Sequence, residues 1–172
     1  MFEVGEYIIY GNIGVCKVLE VKKMAPPGTK TDKLYYELEP AYDKGRRVYT
    51  PVSNEKVLMR KILTAKEADA LIDRVKEIDT LQIRDEKLRE EKYKEAMRAC
   101  SCEEWVRMIK TLYLRGKSRQ AEGKKITSSD ARYLHLAEEN LYGELSIALK
   151  IPKDKVEDFI TKRVETQERD LV

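Results

Sequence analysis

The sequence predicts an α+β protein: a small N-terminal antiparallel β-barrel followed by an all-α domain of about five helices. Three observations predict it. Up to about Met59, short β-branched and aromatic runs alternate with glycine and proline signals. Beyond about residue 62 the apolar period changes from two to about 3.6 and stays there. The chain has 172 residues, enough for two small domains that each bury a core. The change of period places a β domain at 1–60 and a helical domain at 64–165.

Four strands are expected, at VGEYIIY, VCKVLEVKKM, LYYELEP and RRVYTPV. In the first, Val4, Tyr7 and Ile9 alternate imperfectly with polar positions; the second alternates Val15, Lys17, Leu19 and Val21, as suits a sheet with one buried face. Between them stands GNIG, with Gly11 and Gly14 three apart. A GxxG loop clamps a nucleic-acid backbone when two helices flank it. Strand-like residues lie on both sides here, so a hairpin turn is expected instead. APPGTKTDK at 25–33 is a second tip, because proline cannot donate to a ladder, and AYDKGRR at 41–47 is a third, with Gly45 in the left-handed region.

The helices announce their own starts. Thr64 with Glu67 reads as a capping box, followed by Ala65, Ala68, Leu71, Ile72 and Val75 at helical spacing. A second helix is expected from about Asp85 to Ala99, carrying Leu88, Ala96 and Met97. Ser101 with Glu104 reads as another box, opening a stripe of Trp105, Val106, Ile109, Leu112 and Tyr113. GKSRQAEGKK, with Gly116 and Gly123, predicts a loop. Thr127 with Asp130 opens a long helix whose Leu134, Ala137, Leu141, Leu145 and Ala148 share a face. Pro152 at a first helical position starts a last, short helix through Val156, Phe159 and Ile160, with a frayed tail from Glu165.

Composition narrows the function classes. Charged residues are 38 % of the chain and no long uncharged apolar run occurs, so neither a membrane span nor a signal peptide is expected and a cytoplasmic location is. Three cysteines without CxxC spacing and a single His135 without a ligand partner predict no metal and no cofactor. No Walker, GxGxxG, HExxH or GxSxG pattern occurs, and no catalytic residue is assigned. Cys100 and Cys102 at a helix start leave a redox role as a distant reading, because a helix N-terminus lowers a thiol pKa. Trp105 shares its stripe with Ile109 and Leu112 and is read as core.

Net charge is +3, which permits nucleic-acid binding without demanding it. Distribution says more. Arg115, Lys117, Arg119, Lys124, Lys125 and Arg132 face only Glu122 and Asp130 across their stretch, a footprint for phosphate. On charge alone, a solvated loop accounts for it as well. The helix start at Thr127 adds N–H groups that favour an anion, with Arg132 nearby. A second set, Lys87, Arg89, Lys92, Lys94 and Arg98, is interleaved with carboxylates.

Together these residues resemble a family. MFEVGEYIIYGNIGVCKVLEV and RRVYTPVSN resemble the RNA-polymerase-interacting domain that CarD/CdnL transcription regulators share with the transcription-repair coupling factor. EKYKEAM, EEWVRMIKTLYLR and LYGELSIAL resemble the helical domain of the CarD/CdnL regulators. The resemblance implies a Tudor-like barrel that docks on the RNA polymerase β subunit partly by strand pairing, through Arg46, Arg47 and Tyr49. It also implies a monomer whose helical domain touches promoter DNA at the upstream edge of the melted region and stabilises the open complex, with Arg89, Lys94, Lys124, Lys125 and Arg132 as contacts. Many members carry a wedge tryptophan before the segment matching EKYKEAM. IDTLQIRDEKLREEKY has none; its place falls near Arg89 or Gln82, which implies weaker promoter stabilisation. The alternative is a protein-interaction adaptor with no DNA contact.

Overall fold

In the structure, a computed structural model that describes residues 1–171, the chain divides into two compact units, Met1–Ile62 and Leu63–Val172. The architecture is α+β. Five antiparallel strands, β1 (Tyr7–Tyr10), β2 (Gly14–Met24), β3 (Lys33–Pro40), β4 (Val48–Pro51) and β5 (Met59–Lys61), precede helices α1 (Ala65–Asp73), α2 (Arg89–Arg98), α3 (Cys102–Ala121), α4 (Ser128–Leu149) and α5 (Val156–Asp170). No helix among the described residues is long and apolar enough to cross a membrane.

The strands lie in the order β4-β3-β2-β1-β5, so the barrel-like module is an open sheet with β4 and β5 at its edges. Its core is Ile8, Cys16, Val18, Tyr36 and Leu38. The expected phase of the first two strands is corrected. Val4 is exposed and precedes β1, while Ile8 and Ile9 are both fully buried. In β2 the inward residues are Cys16 and Val18, then Val21, because a bulge between Val18 and Glu20 adds one residue and inverts the side-chain parity. Period two, read without the bulge, misses Cys16 and Val18 before it and meets the core at Val21 after it.

GNIG is the β1–β2 turn. Gly11–Ile13 forms one 3₁₀ turn, and Gly14 (φ 85°, ψ −143°) occupies a region that only glycine enters at low cost. Gly11 is also a close approach: a Cβ there would stand 2.7 Å from the Val57 side chain.

In the helical unit, α4 packs against each of the other four helices. That placement explains the consecutive burial from Gly143 to Ser146, which an amphipathic stripe does not produce. Trp105 is fully buried on α3, together with Met108 and Leu112. Tyr113, expected on that stripe, is exposed, and Met108 takes the inward position.

Capping follows the sequence in part. Thr64 and Glu67 make both bonds of the box. Thr127 Oγ1 accepts from the Asp130 N–H at 3.1 Å, but the Asp130 carboxylate is engaged elsewhere. Ser101 is the N-cap of α3 without a side-chain bond, and Glu104 pairs with Arg107 at 3.3 Å instead.

Three boundaries are corrected. Helix α3 runs through Gly116 to Ala121, since an interior glycine weakens a helix by about 1 kcal/mol without breaking it. It ends at Gly123, φ +75°, where the Lys124 N–H donates to Arg119 O (2.8 Å) and the Gly123 N–H to Gln120 O (3.0 Å), a Schellman closure. Pro152 caps a short 3₁₀ turn and α5 starts at Val156. The polar tail stays helical to Asp170 because it is tied down: Arg163 bonds Asp73 (2.8 Å) and Asp69 (3.2 Å), and Glu168 pairs with Lys76 (3.0 Å).

Candidate functional site

Two surfaces gather the candidate residues, one in each unit. The first is the β4 edge of the sheet. Val52 donates its N–H to Leu34 O at 2.9 Å, so by alternation Thr50 and Val48 bond toward β3. Tyr49 and Pro51 therefore turn their backbone groups to the open side. Pro51 sits at a position where a missing N–H removes no ladder bond. Tyr49 offers both a donor and an acceptor.

The outer face beside that edge is an ion-pair lattice. Arg47 lies in the turn before β4, with Nε 3.2 Å from Glu37 and Nη1 2.5 Å from Glu39. Lys22 pairs with Glu37 from β2 and stands 5.2 Å over the ring of Tyr49, which is itself in register with Glu37. The Gly45 N–H and the Arg47 guanidinium hold Glu39 below the usual carboxylate range. Arg46 makes a looser, exposed pair with Asp43 at 3.7 Å. The structure thus brings Arg47 and Tyr49 onto one edge, with Arg46 at the preceding turn.

The second surface lies where α2, α3 and α4 meet. Asp130, 3 % exposed, accepts from Tyr93 Oη (3.2 Å) and pairs with Arg115 Nε (2.8 Å). Arg115 also reaches Glu86 (3.0 Å), which bonds Arg89 (2.7 Å), which donates to Tyr93 Oη (2.9 Å). The ring of Tyr93 rests 5.2 Å from that of Tyr133, and Tyr133 Oη donates to Glu90 (3.2 Å). Hydrogen bonds from Arg89 and then Arg115 hold the Glu86 carboxyl down to about 2.

Arg89 and Arg115, read from the sequence as part of the cationic sets, are thereby the internal clamp of three helices. Arg132 remains outward, 62 % exposed, with a long 3.4 Å contact to Glu90 and its guanidinium over Tyr133. Lys94 pairs with Glu91 on its own helix (3.4 Å), and Lys124 with Glu122 (3.3 Å). Lys125 is placed by its carbonyl, which accepts from Arg119 Nε at 2.9 Å. Arg132, Lys124 and Lys125 flank one helix N-terminus at Thr127. Gln82, the other site considered for the missing tryptophan, is exposed in an irregular segment before α2.

Other polar groups are held by partners far along the chain. Cys102 Sγ–H donates to the fully buried Glu144 across α3 and α4 (2.5 Å), and all three cysteines are buried. Lys110 Nζ reaches the carbonyls of Val75 (2.9 Å) and Ile78 (2.5 Å), closing the segment after α1. Long-range partners carry no local signal. Among the described residues no group of three or more His, Cys, Asp or Glu could hold a metal ion.

Residues 2–63 match the family model described as the CarD-like/TRCF RID domain. No curated protein sequence matches the chain.

Proposed function

From an N-terminal unit that is a CarD-like RNA-polymerase-interacting domain, and hence a transcription-related role, we infer that the chain regulates transcription by two contacts. The β4 edge receives a strand of the polymerase β subunit, with the Tyr49 backbone bonding the incoming chain and the Arg47 lattice setting side-chain complementarity. The helical unit holds promoter DNA near the upstream edge of the melted region through Arg132, Lys124, Lys125 and Lys94, which supply affinity without reading bases. The combination changes open-complex lifetime, in a monomer without a cofactor or catalytic centre.

The open edge at Tyr49 carries this reading. Tyr49→Pro, which removes the outward N–H, is expected to weaken β-subunit binding at least tenfold while promoter mobility shifts stay unchanged. Full retention of binding would refute strand addition. Lys124→Glu with Lys125→Glu and Arg132→Glu is expected to abolish the promoter shift and shorten the effect on open-complex lifetime, with polymerase binding intact. Polymerase binding should also survive added salt better than DNA binding, since each phosphate contact gives way to counterions.

One observation favours the adaptor reading without DNA. Arg89, Lys94 and Arg132 each stand beside a carboxylate, which reduces the net field of that surface. Unchanged open-complex lifetimes on several promoters, with polymerase binding intact, would decide for it.

A further inference from the structure

A groove of about 530 Å³ runs between α3 and the start of α4. Leu112, Ile126 and Leu134 form its apolar floor, Lys117, Lys124 and Lys125 stand around it, and no carboxylate lines it among the described residues. Tyr113 and Ile126 remain 56 % and 39 % exposed, so the unit leaves this apolar surface uncovered by itself.

Gly116, in the middle of the groove, has no structural reason within the unit. Its backbone is ordinary helix, and a Cβ built on it meets nothing within 4 Å. A glycine there weakens α3 by about 1 kcal/mol relative to alanine, and no side chain among the described residues fills the room it opens. The lysine rim is also held in place, by the Schellman bonds at Gly123 and by Arg119 on Lys125 O.

We propose that this groove takes an acidic amphipathic helix of a partner protein, with two or three apolar anchors on the floor and carboxylates on the lysines. Charge complementarity selects the occupant: three lysines and no carboxylate line an apolar groove, and only Lys124 has an anion beside it, the exposed Glu122 at 3.3 Å. A stacked nucleobase fits less well, because Lys117 Nζ already sits 4.8 Å over the ring of Tyr113, which also lines the groove, and the floor residues are aliphatic. The groove is an addition to the DNA reading and shares Lys124 and Lys125 with it, so the two ligands compete where both bind.

The test uses the full chain and a fluorescein-labelled synthetic helix of about 14 residues with leucines at i, i+3, i+4 and i+7 and glutamates elsewhere. The same helix with lysines in place of glutamates, a dT oligonucleotide and a promoter duplex serve as the other arms. Saturable binding of the glutamate helix, at least tenfold tighter than the lysine helix, is the expected result. Gly116→Leu fills the groove where there is room; it should cut that binding at least tenfold, leave the melting temperature unchanged or higher, and leave the duplex shift unchanged. Lys117→Glu should weaken the peptide to a similar degree.

Equal binding of the two helices would overturn the proposal, as would a Gly116→Leu variant of full affinity. Tighter binding of the dT oligonucleotide, lost in Gly116→Leu, would assign the groove to single-stranded nucleic acid instead. If the duplex arm fails while the glutamate helix binds, the DNA reading falls and this one stands.

Discussion

Arg47 and Arg115 make a useful pair, one in each unit. Both bridge two acidic residues. Arg47 lies on the outer face of the sheet between Glu37 and Glu39, where solvent reaches all three groups. Arg115 is bound to Asp130, which is buried among α2, α3 and α4. The same chemistry therefore does different work: the exposed lattice patterns the outer face of the sheet, and the buried one ties three helices together. A buried pair is costly to break because the survivor is left charged and desolvated, whereas an exposed pair is replaced by water.

The sharpest way to break this comparison is to remove the buried carboxylate. Asp130→Asn is expected to destabilise the helical unit by about 3 kcal/mol, read as a lower urea midpoint, with the proposed polymerase binding unaffected when the protein is folded. Next in size, Gly11→Ala should destabilise the sheet unit by roughly 1–2 kcal/mol, because alanine is strained at φ +46° and its Cβ meets Val57.

A smaller effect of opposite sign belongs to Lys150, which ends α4 in the left-handed region at φ 57°. Lys150→Gly should stabilise by about 0.5–1 kcal/mol, the strain relieved exceeding the added freedom of the unfolded chain. Glu39→Gln, at the exposed lattice, is expected to shift no unfolding midpoint measurably. If it matched Asp130→Asn, the distinction between the two arginines would fail.

Acid sharpens the same contrast. Glu86 has a folded pKa lowered to about 2, by Arg89 first and Arg115 second. A depressed carboxyl contributes stability above its unfolded value of about 4.3 and loses it as pH falls through about 2. The stability difference between the native protein and Glu86→Gln should therefore be constant from about pH 5 upward, shrink below about 4.3 and vanish near 2.

Local rules reached far into this fold. The switch of period near residue 62, the Thr64–Glu67 box, the turn at Gly11 and Gly14 and the burial of Trp105 were all legible, because each depends on residues a few positions apart. In β2 one alternation cannot hold both Val18 and Val21, because the bulge at Leu19 changes parity, and nothing in the residues themselves marks it. The α5 tail was misread because its anchors, Asp69 and Asp73, lie about ninety positions away on α1.

The candidate site divides along the same line. Arg47 and Tyr49 were placed through resemblance to a family, and the edge that positions them follows from strand order, which no local period reveals. Arg89 and Arg115 were counted as outward cations because charge along a sequence does not say where a carboxylate folds. On α3, Met108 is buried and Tyr113 is not, because Trp105, Met108 and Leu112 follow the three-and-four spacing of one helix face and Tyr113 stands one position past it.

Pro51 has a consequence for what the sheet refuses to do. An open edge is a template that can recruit strand after strand, and the usual end of that process is aggregation. Here the exposed edge is only four residues long, and one of its two outward positions accepts hydrogen bonds but cannot give them. A guest strand finds full pairing at Tyr49 alone and must obtain the rest of its hold from side chains. On the proposed reading, such an edge favours a guest whose side chains match its lattice over one held by backbone pairing alone.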